Sequence, residues 1–294
     1  MDFEAMKTLI TVIDLKSFTK ASKTLNLSQP TVSFHIKNLE EYFQTTLIDR
    51  SPKRFHVTDT GGLVYQRARQ ILGIIENTRS EVLEHQNQLR GLIRIGASYT
   101  VGEYILPALL KEFDSRYPSV DLDVQIANTE IINEAVHLHE RDLGLVEGQV
   151  NHTDLSSVPF LEDEMVILVP EGHSLWKVRE ATFQDLQDQT WITREAGSGS
   201  RAVMDSMLES YNIRPKKMIT IGSNHGVVQA VKEGLGITLV SKTVVDHSDV
   251  TQLMLPLPFI KRASRYFSRV TRSGNPTPKN VEVFIQLVDE LFHL

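Results

Sequence analysis

Ser17-Phe18-Thr19-Lys20-Ala21-Ser22-Lys23-Thr24-Leu25-Asn26-Leu27-Ser28-Gln29-Pro30-Thr31-Val32-Ser33-Phe34 is the stretch on which the reading of this 294-residue chain turns. A helix opening at Thr19 carries Ala21 and Leu25 on its apolar side and stops at Asn26-Leu27. Ser28 then offers a hydroxyl to the free amides of a following helix, whose first turn tolerates Pro30 because no amide is needed there. Two helices joined so tightly form a helix-turn-helix. Val32, Ile36, Leu39 and Phe43 recur at steps of four, three and four, which predicts one buried face. The opposite face carries Pro30, Thr31, Ser33, Phe34, Lys37 and Asn38. Hydroxyls, an amide and a ring suit base edges and thymine methyls in a major groove. The candidate DNA-reading surface is therefore Ser28, Gln29, Pro30, Thr31, Ser33 and Phe34, with Lys37 set for phosphate. Packing of Phe34 against a wing or another chain is the plainer alternative.

Working outward, Phe3, Met6, Ile10 and Ile13 predict a short amphipathic helix that Asp2 caps. On the other side, residues 47–58 read as a two-stranded ribbon with a basic tip, so Arg50, Lys53 and Arg54 are candidate contacts to the DNA backbone or a narrowed minor groove. An ordinary solvated hairpin is the alternative there. The overall charge of −6 hides a division: residues 1–58 are +2, 59–89 are −1 and 90–294 are −7. An excess of two cations is a weak footprint, and the case for DNA rests on arrangement.

From Asp59 to Leu89 no proline intervenes. Val64, Ala68, Ile71, Ile75, Thr78, Val82, His85 and Leu89 alternate steps of four and three, which predicts a helix of about 45 Å whose stripe needs a partner helix. A single helix lying on its own domain would be the simpler use of the same pattern. His85 and Thr78 would loosen such a seam.

Composition sets the outer bounds. With 41% hydrophobic and 23% charged residues the chain is an ordinary globular one, long enough for about two domains. It has no cysteine, which removes disulfides, thiolate metal sites and cysteine nucleophiles. The acidic Met1-Asp2-Phe3-Glu4 start and the lack of an apolar run near the ~18 residues of a membrane span predict a cytoplasmic protein with no membrane partner.

After Gly91, strand-like and helix-like runs alternate, which predicts an α/β region. Crossings near Phe160–Glu164 and Arg262–Tyr266 would divide it into two subdomains around a cleft. Four strand-to-helix turns carry small polar residues: Ser98-Tyr99-Thr100, Asn128-Thr129, Gly197 to Arg201 and Gly222 to Gly226. Each could be a plain helix cap; together they make a candidate ligand site.

The run Ser17 to Ser33, with Ile36, Leu39-Glu40, Leu47, Arg50 and Thr58-Asp59-Thr60-Gly61, resembles the winged helix-turn-helix of the LysR-type transcriptional regulators. It departs from the usual pattern at Ser22, at Phe43-Gln44, where Leu-Gly is common, and at Ile48. Gly91 to Gly96, Leu106-Pro107, Tyr117-Pro118, Asp142 to Glu147 and Arg194 to Arg201 are similar to the effector domains of that family, which share the fold of periplasmic solute-binding proteins.

The resemblance implies an α+β multidomain chain. Residues 1–58 would form a winged helix-turn-helix, 59–89 a linker helix for dimerisation, and 90–294 an effector domain with subdomains 90–162 plus 267–294 and 163–266. It implies binding of a pseudo-palindromic double-stranded DNA operator by a homodimer or homotetramer, under control of a small-molecule effector. Ser98, Tyr99, Thr100, Thr129, Ser198, Ser200, Arg201 and Asn224 are the effector contacts it suggests, Arg201 being equally readable as a surface arginine. Residues 97–104 and 194–201 look most like the branch regulating carbon fixation and sulfur assimilation, which implies a small anionic metabolite. No cofactor is expected. No H-E-x-x-H, P-loop or G-x-S-x-G motif occurs, and His137 and His139, two apart, do not make a metal pattern, so no enzymatic function is expected. The rival reading is a cytosolic small-molecule-binding protein whose N-terminal helices serve only for oligomerisation.

Overall fold

The structure is a computed structural model that describes residues 2–49, 55–84, 89–177, 182–255, 264–274 and 277–292. Contacts divide the chain into two units: Met1–Gln86 with Leu138–Glu140, and Asn87–His137 with Arg141–Leu294. Among the described residues no helix is long and apolar enough to cross a membrane.

The first unit opens with α1 (Phe3–Leu15), capped by the Asp2 carboxylate on the Glu4 amide. Its core face is Ala5, Met6, Leu9 and Val12, one step round from the expected stripe; Phe3 is 54% exposed. The second helix, α2 (Phe18–Thr24), starts one residue earlier than expected because Ser17 caps it through the Lys20 amide. Asn26 takes a left-handed backbone (φ 53°) in the turn, and α3 (Gln29–Phe43) follows. Ala5, Leu9, Val12, Ala21, Val32, Ile36 and Leu39 close a single core with Leu47 and Ile48. Phe43, expected inside, is 39% exposed: it is the last helical residue, and its ring meets Tyr42 edge-on rather than the core. Ser22 donates its hydroxyl to the Thr19 carbonyl, so a serine fits where alanine is usual.

The ribbon consists of β1 (Ile48–Asp49) and β2 (His56–Val57), antiparallel, with Ile48 opposite Val57. One carboxylate pins its base, since Glu40 Oε1 accepts from the Leu47 amide at 2.9 Å and the Ile48 amide at 3.3 Å. Thr58 donates its hydroxyl to the Thr46 carbonyl at 2.8 Å and accepts from the Gly61 amide at 2.9 Å, which starts α4 (Asp59–Glu84). Gly61 must be glycine because a Cβ there would collide with the Leu47 carbonyl. The Asp14 carboxylate accepts from the Tyr65 hydroxyl at 2.6 Å and from Arg69 at 2.7 Å, which ties α4 to α1. Burial, reinforced by that carboxylate, raises the Tyr65 phenol well above its ordinary range. Along α4, Ala68 is buried, while Leu63, Ile74 and Val82 are more than half exposed. His85 lies outside the described residues. Leu89 does not continue the stripe: it packs on the core of the second unit.

In that unit β3 (Gly91–Ser98) leads through a π-helical turn, Val101–Ile105, into α5 (Leu106–Arg116), β4 (Val120–Ala127), α6 (Thr129–His137) and β5 (Leu143–Glu147). Parallel β3 lies between β4 and β5. The expected crossing at Phe160–Glu164 is the middle of one continuous strand, β6 (Leu155–Leu168). Then come β7 (Thr190–Thr193), α7 (Gly199–Ser210), β8 (Lys217–Thr220), α8 (Asn224–Lys232), β9 (Thr238–Ser241), α9 (Lys242–Asp246) and β10 (Met254–Leu255). The return crossing is also a strand, β11 (Ser264–Arg272); it runs antiparallel to both β5 and β6, with a bulge at Phe267/Ser268. The last helix, α10 (Lys279–Leu291), packs Phe284 against Phe113. One core joins Ile93, Ile95, Phe113, Phe160, Phe267 and Phe284; two more, around Trp191 and around Val228, draw their buried members from 165–255, with Tyr104 packed against the latter; another joins Ile132, Val136, Val146 and Val270.

Gln44 caps α3 with φ 52°, a left-handed conformation that costs a side-chain-bearing residue about 1–2 kcal/mol. Gln44→Gly should stabilise the first unit by roughly 0.5–1 kcal/mol after the glycine entropy cost, read as a higher midpoint in thermal unfolding.

Candidate functional site

On α3 the Ser28 hydroxyl accepts from the Thr31 amide at 3.2 Å and lies 2.8 Å from the Thr31 hydroxyl. Ser28 and Thr31 thus build the helix start, whereas Gln29 and Pro30 are exposed and Ser33 is half-buried. Phe34 is 60% exposed, and the core beneath is complete without it. Lys37 sits 3.4 Å from Glu41 with both side chains mostly in water. A pair so exposed holds weakly, so Lys37 can turn to a phosphate. Arg50, Lys53 and Arg54 lie outside the described residues, between the two ribbon strands.

In the second unit a cavity of about 480 Å³ opens between the amino ends of α6 and α7. Thr129, Glu130, Glu147 and His152 line one side, and Gly197, Ser198, Arg201 and Asp205 the other. Helix α7 starts hard against the end of β5: a Cβ on Gly199 would run into the Glu147 backbone and side chain. The Ser198 side chain makes no cap bond of its own. Thr129 donates its hydroxyl to the Glu147 carbonyl at 2.8 Å, and the Glu130 amide donates to the Gly197 carbonyl at 3.1 Å. Arg201 is engaged with Asp205 at 2.7 Å.

Of the eight effector contacts expected from sequence, Thr129, Ser198 and Arg201 line this cavity. Ser98, Thr100, Ser200 and Asn224 are instead fully buried in a polar cluster around it, and Tyr99 lies under the Arg194 guanidinium at 4.6 Å. Glu147 Oε2 accepts from Ser98 at 2.5 Å and Oε1 from Thr100 at 3.3 Å. Thr100 in turn accepts from Asn224 at 3.2 Å, and Asn224 from Arg194 at 2.6 Å. Ser200 accepts from Arg265 at 3.1 Å, whose Nε also donates to Asp163 at 2.8 Å; its Nη1 stands 3.6 Å from Glu147. Ser241 and Thr243 complete the shell of Asp163 at 2.6 and 3.1 Å.

Sequence reasoning missed Glu147, Asp163, Arg194 and Arg265 as site residues. A signal existed for Glu147: it ends the wholly apolar run Leu143 to Val146, so a carboxylate there had to find buried partners. Burial pushes the Glu195 carboxyl up, but its hydrogen bonds and charge pairing with Arg194 outweigh this and hold it below its ordinary value.

The profile of the bacterial regulatory helix-turn-helix protein, lysR family, matches residues 3–62, and that of the LysR substrate binding domain matches residues 86–292. The HTH-type transcriptional regulator CysL of Bacillus subtilis (strain 168) is 42% identical over 292 residues, 98% of this chain and 97% of that protein. Full-length OxyR from Pseudomonas aeruginosa, in a mutant form, superposes with a TM-score of 0.75 at 21% identity, covering 98% of this chain and 95% of that one. The regulatory domain of Synechocystis PCC6803 CcmR, solved in complex with 2-PG, does so with a TM-score of 0.64 at 23% identity, covering 69% of this chain and 98% of that one.

Two outcomes follow from the polar cluster. Glu147→Gln should lower stability by about 3 kcal/mol, because a buried guanidinium loses its second carboxylate; chemical denaturation of the full chain measures it. Glu195, held low, adds stability that is complete above the ordinary glutamate value of 4.5 and is lost as pH falls through its lowered value. Glu195→Gln should flatten that acid limb of the melting-temperature profile.

Proposed function

The chain belongs to the LysR family of transcriptional regulators, and on that premise we propose how its residues divide the work of a DNA-binding regulator controlled by a small molecule. Residues 1–58 read double-stranded DNA. Gln29, Pro30, Ser33 and Phe34 approach base edges from α3, Ser28 and Thr31 set the helix start, and Lys37, Arg50, Lys53 and Arg54 meet phosphates. The exposed apolar side chains of α4, within 59–89, meet a second chain, which gives a homodimer or a homotetramer on a pseudo-palindromic operator. Residues 90–294 sense the effector, with subdomain 90–162 plus 267–294 and subdomain 163–266 facing each other across the cavity. A cytoplasmic setting and the absence of turnover fit this role.

The effector is a small anion that also carries hydroxyls. Amides at the start of α7, the unengaged Ser198 hydroxyl and Arg201, once it turns from Asp205, favour negative charge, while Glu130 and Asp205 in the lining favour a ligand that also donates hydrogen bonds. Similarity to CysL, and the 2-PG held by CcmR, support an anionic ligand and the carbon-fixation and sulfur-assimilation branch. For such a ligand to regulate, it must bind the two subdomain arrangements with unequal affinity, which couples cavity occupancy to DNA geometry.

The observation that carries the reading is Phe34, 60% exposed on a helix whose core is already closed. The rival, a binding protein that uses its N-terminal helices only to oligomerise, would bury that ring against another chain and predicts no duplex preference for its removal to change. Phe34→Ala should relax base preference in a selection from random duplexes, and Lys37→Ala should weaken all sequences alike and reduce the salt slope by about 1. Unchanged preference in the first variant would overturn the groove assignment. Ser198→Ala should weaken effector binding about tenfold, measured with phosphorylated and carboxylated metabolites, while leaving effector-free operator affinity intact.

A further inference from the structure

Away from the polar cluster, imidazoles and carboxylates converge at a second place in the effector unit. Glu134 and His137 stand three residues apart on α6 and share one face of it. His152 and Asp154 lie in the segment that enters β6. His137 Nδ1 is 2.7 Å from Asp154 Oδ2, and His152 Nε2 is 3.5 Å from Glu134 Oε2. The two rings stack with centroids 4.7 Å apart and planes 20° apart. One donor atom from each of His137, His152 and Asp154 falls within 4.8 Å of the other two. Backbone bonds fix the segment: the Leu155 amide donates to the His152 carbonyl at 3.2 Å and the Ser273 amide to the Asp154 carbonyl at 2.7 Å.

Two imidazoles and two carboxylates thus turn nitrogen and oxygen donors toward one place. A single divalent cation answers two neutral imidazoles and two carboxylates together. Donors on a tetrahedral zinc, with bonds of about 2.1 Å, lie about 3.4 Å apart. Among His137, His152 and Asp154 the widest pair must therefore close by at most about 1.4 Å, and Glu134 joins them from beside His152, 3.5 Å away; side-chain rotation can supply such movements, since all four side chains are a quarter or more exposed. Nitrogen and oxygen donors in equal number select a first-row transition ion over calcium or magnesium.

We propose that Glu134, His137, His152 and Asp154 bind a divalent transition-metal ion of the zinc class at the rim of the effector cavity, which His152 also lines. The site differs from the anion contacts at Ser198 and Arg201 and does not depend on them. A metal ion competes with protons for imidazole and carboxylate donors, so affinity is lower at lower pH. The sequence conceals the site because its histidines are fifteen residues apart and come together only through the packing of α6 beside the start of β6.

The test titrates the untagged full-length protein with zinc by calorimetry, and with cobalt by visible absorption, at about pH 7.5 and about pH 5.5. One ion per chain is expected, bound at least about tenfold more weakly at the lower pH. His152→Gln and Asp154→Asn should each lose about tenfold or more, and His247→Gln should lose nothing. Metal-free melting temperatures verify that each variant folds; if His152→Gln does not, the half-exposed Asp154→Asn decides. No saturable binding, or binding that Asp154→Asn leaves unchanged, overturns the proposal.

Discussion

Arg265 is the charge around which the effector unit is organised. It is 5% exposed, as deep as the two carboxylates it faces, Asp163 and Glu147. Ions so buried are tolerable only when each finds partners, and these partners come from distant parts of the chain. Ser98 ends the first strand of the unit and Thr100 follows it, Ser200 stands in the first turn of α7, and Ser241 and Thr243 join β9 to α9. Pairing the guanidinium through Nε and Nη1 with the two acids therefore fixes where these strand ends and helix starts must meet, although Nη2 is buried without a partner. The cavity is the space left beside that meeting point, and Glu147 belongs to both.

The N-terminal unit obeys the opposite constraint. Its core is built mainly of apolar side chains, from Ala5 to Ile48, with Thr8 and Ser22 the polar residues buried beside them, and Gln29, Pro30 and Phe34 are turned outward. Ser28, Gln29, Pro30 and Phe34 are held on a helix whose own buried face, Val32, Ile36 and Leu39, allows no rotation without exposing leucine and isoleucine. In the proposed reading of DNA, such rigid backing is what would let a few exposed atoms discriminate between base pairs, since a loosely held helix would average its contacts.

What could be read in the sequence followed local physics. Ser28, Pro30 and the four-three spacing of Val32, Ile36 and Leu39 specify α3 within a few residues, while the strands of the sheet announce themselves in two ways, Leu143 to Val146 as an apolar run and Val120 to Ile126 as an alternation of apolar and polar residues. Phe43 misled because periodicity does not say where a helix ends; Gln44 ends it. Leu89 misled for a similar reason: a heptad step can be matched by a residue that belongs to the next domain. In the candidate effector site, the small residues at helix starts were visible, but their inward orientation was not. Ser98 and Thr100 point to Glu147, forty-nine and forty-seven residues further on, and Arg265 meets Asp163 across antiparallel strands. Pairings at such separations are set by topology, on which neither spacing nor composition bears.

The clasp at the base of the ribbon has a mechanical meaning. Glu40 holds the Leu47 and Ile48 amides, Thr58 bridges Thr46 to the first turn of α4, and Gly61 brings that turn into contact with the Leu47 carbonyl. Recognition helix, ribbon and long helix are thus welded at one point with no slack residue between them. A tilt of α4 must carry the ribbon with it, as a crank turns its shaft, and over the 26 residues of that helix, about 39 Å, a few degrees at one end become several ångströms at the other.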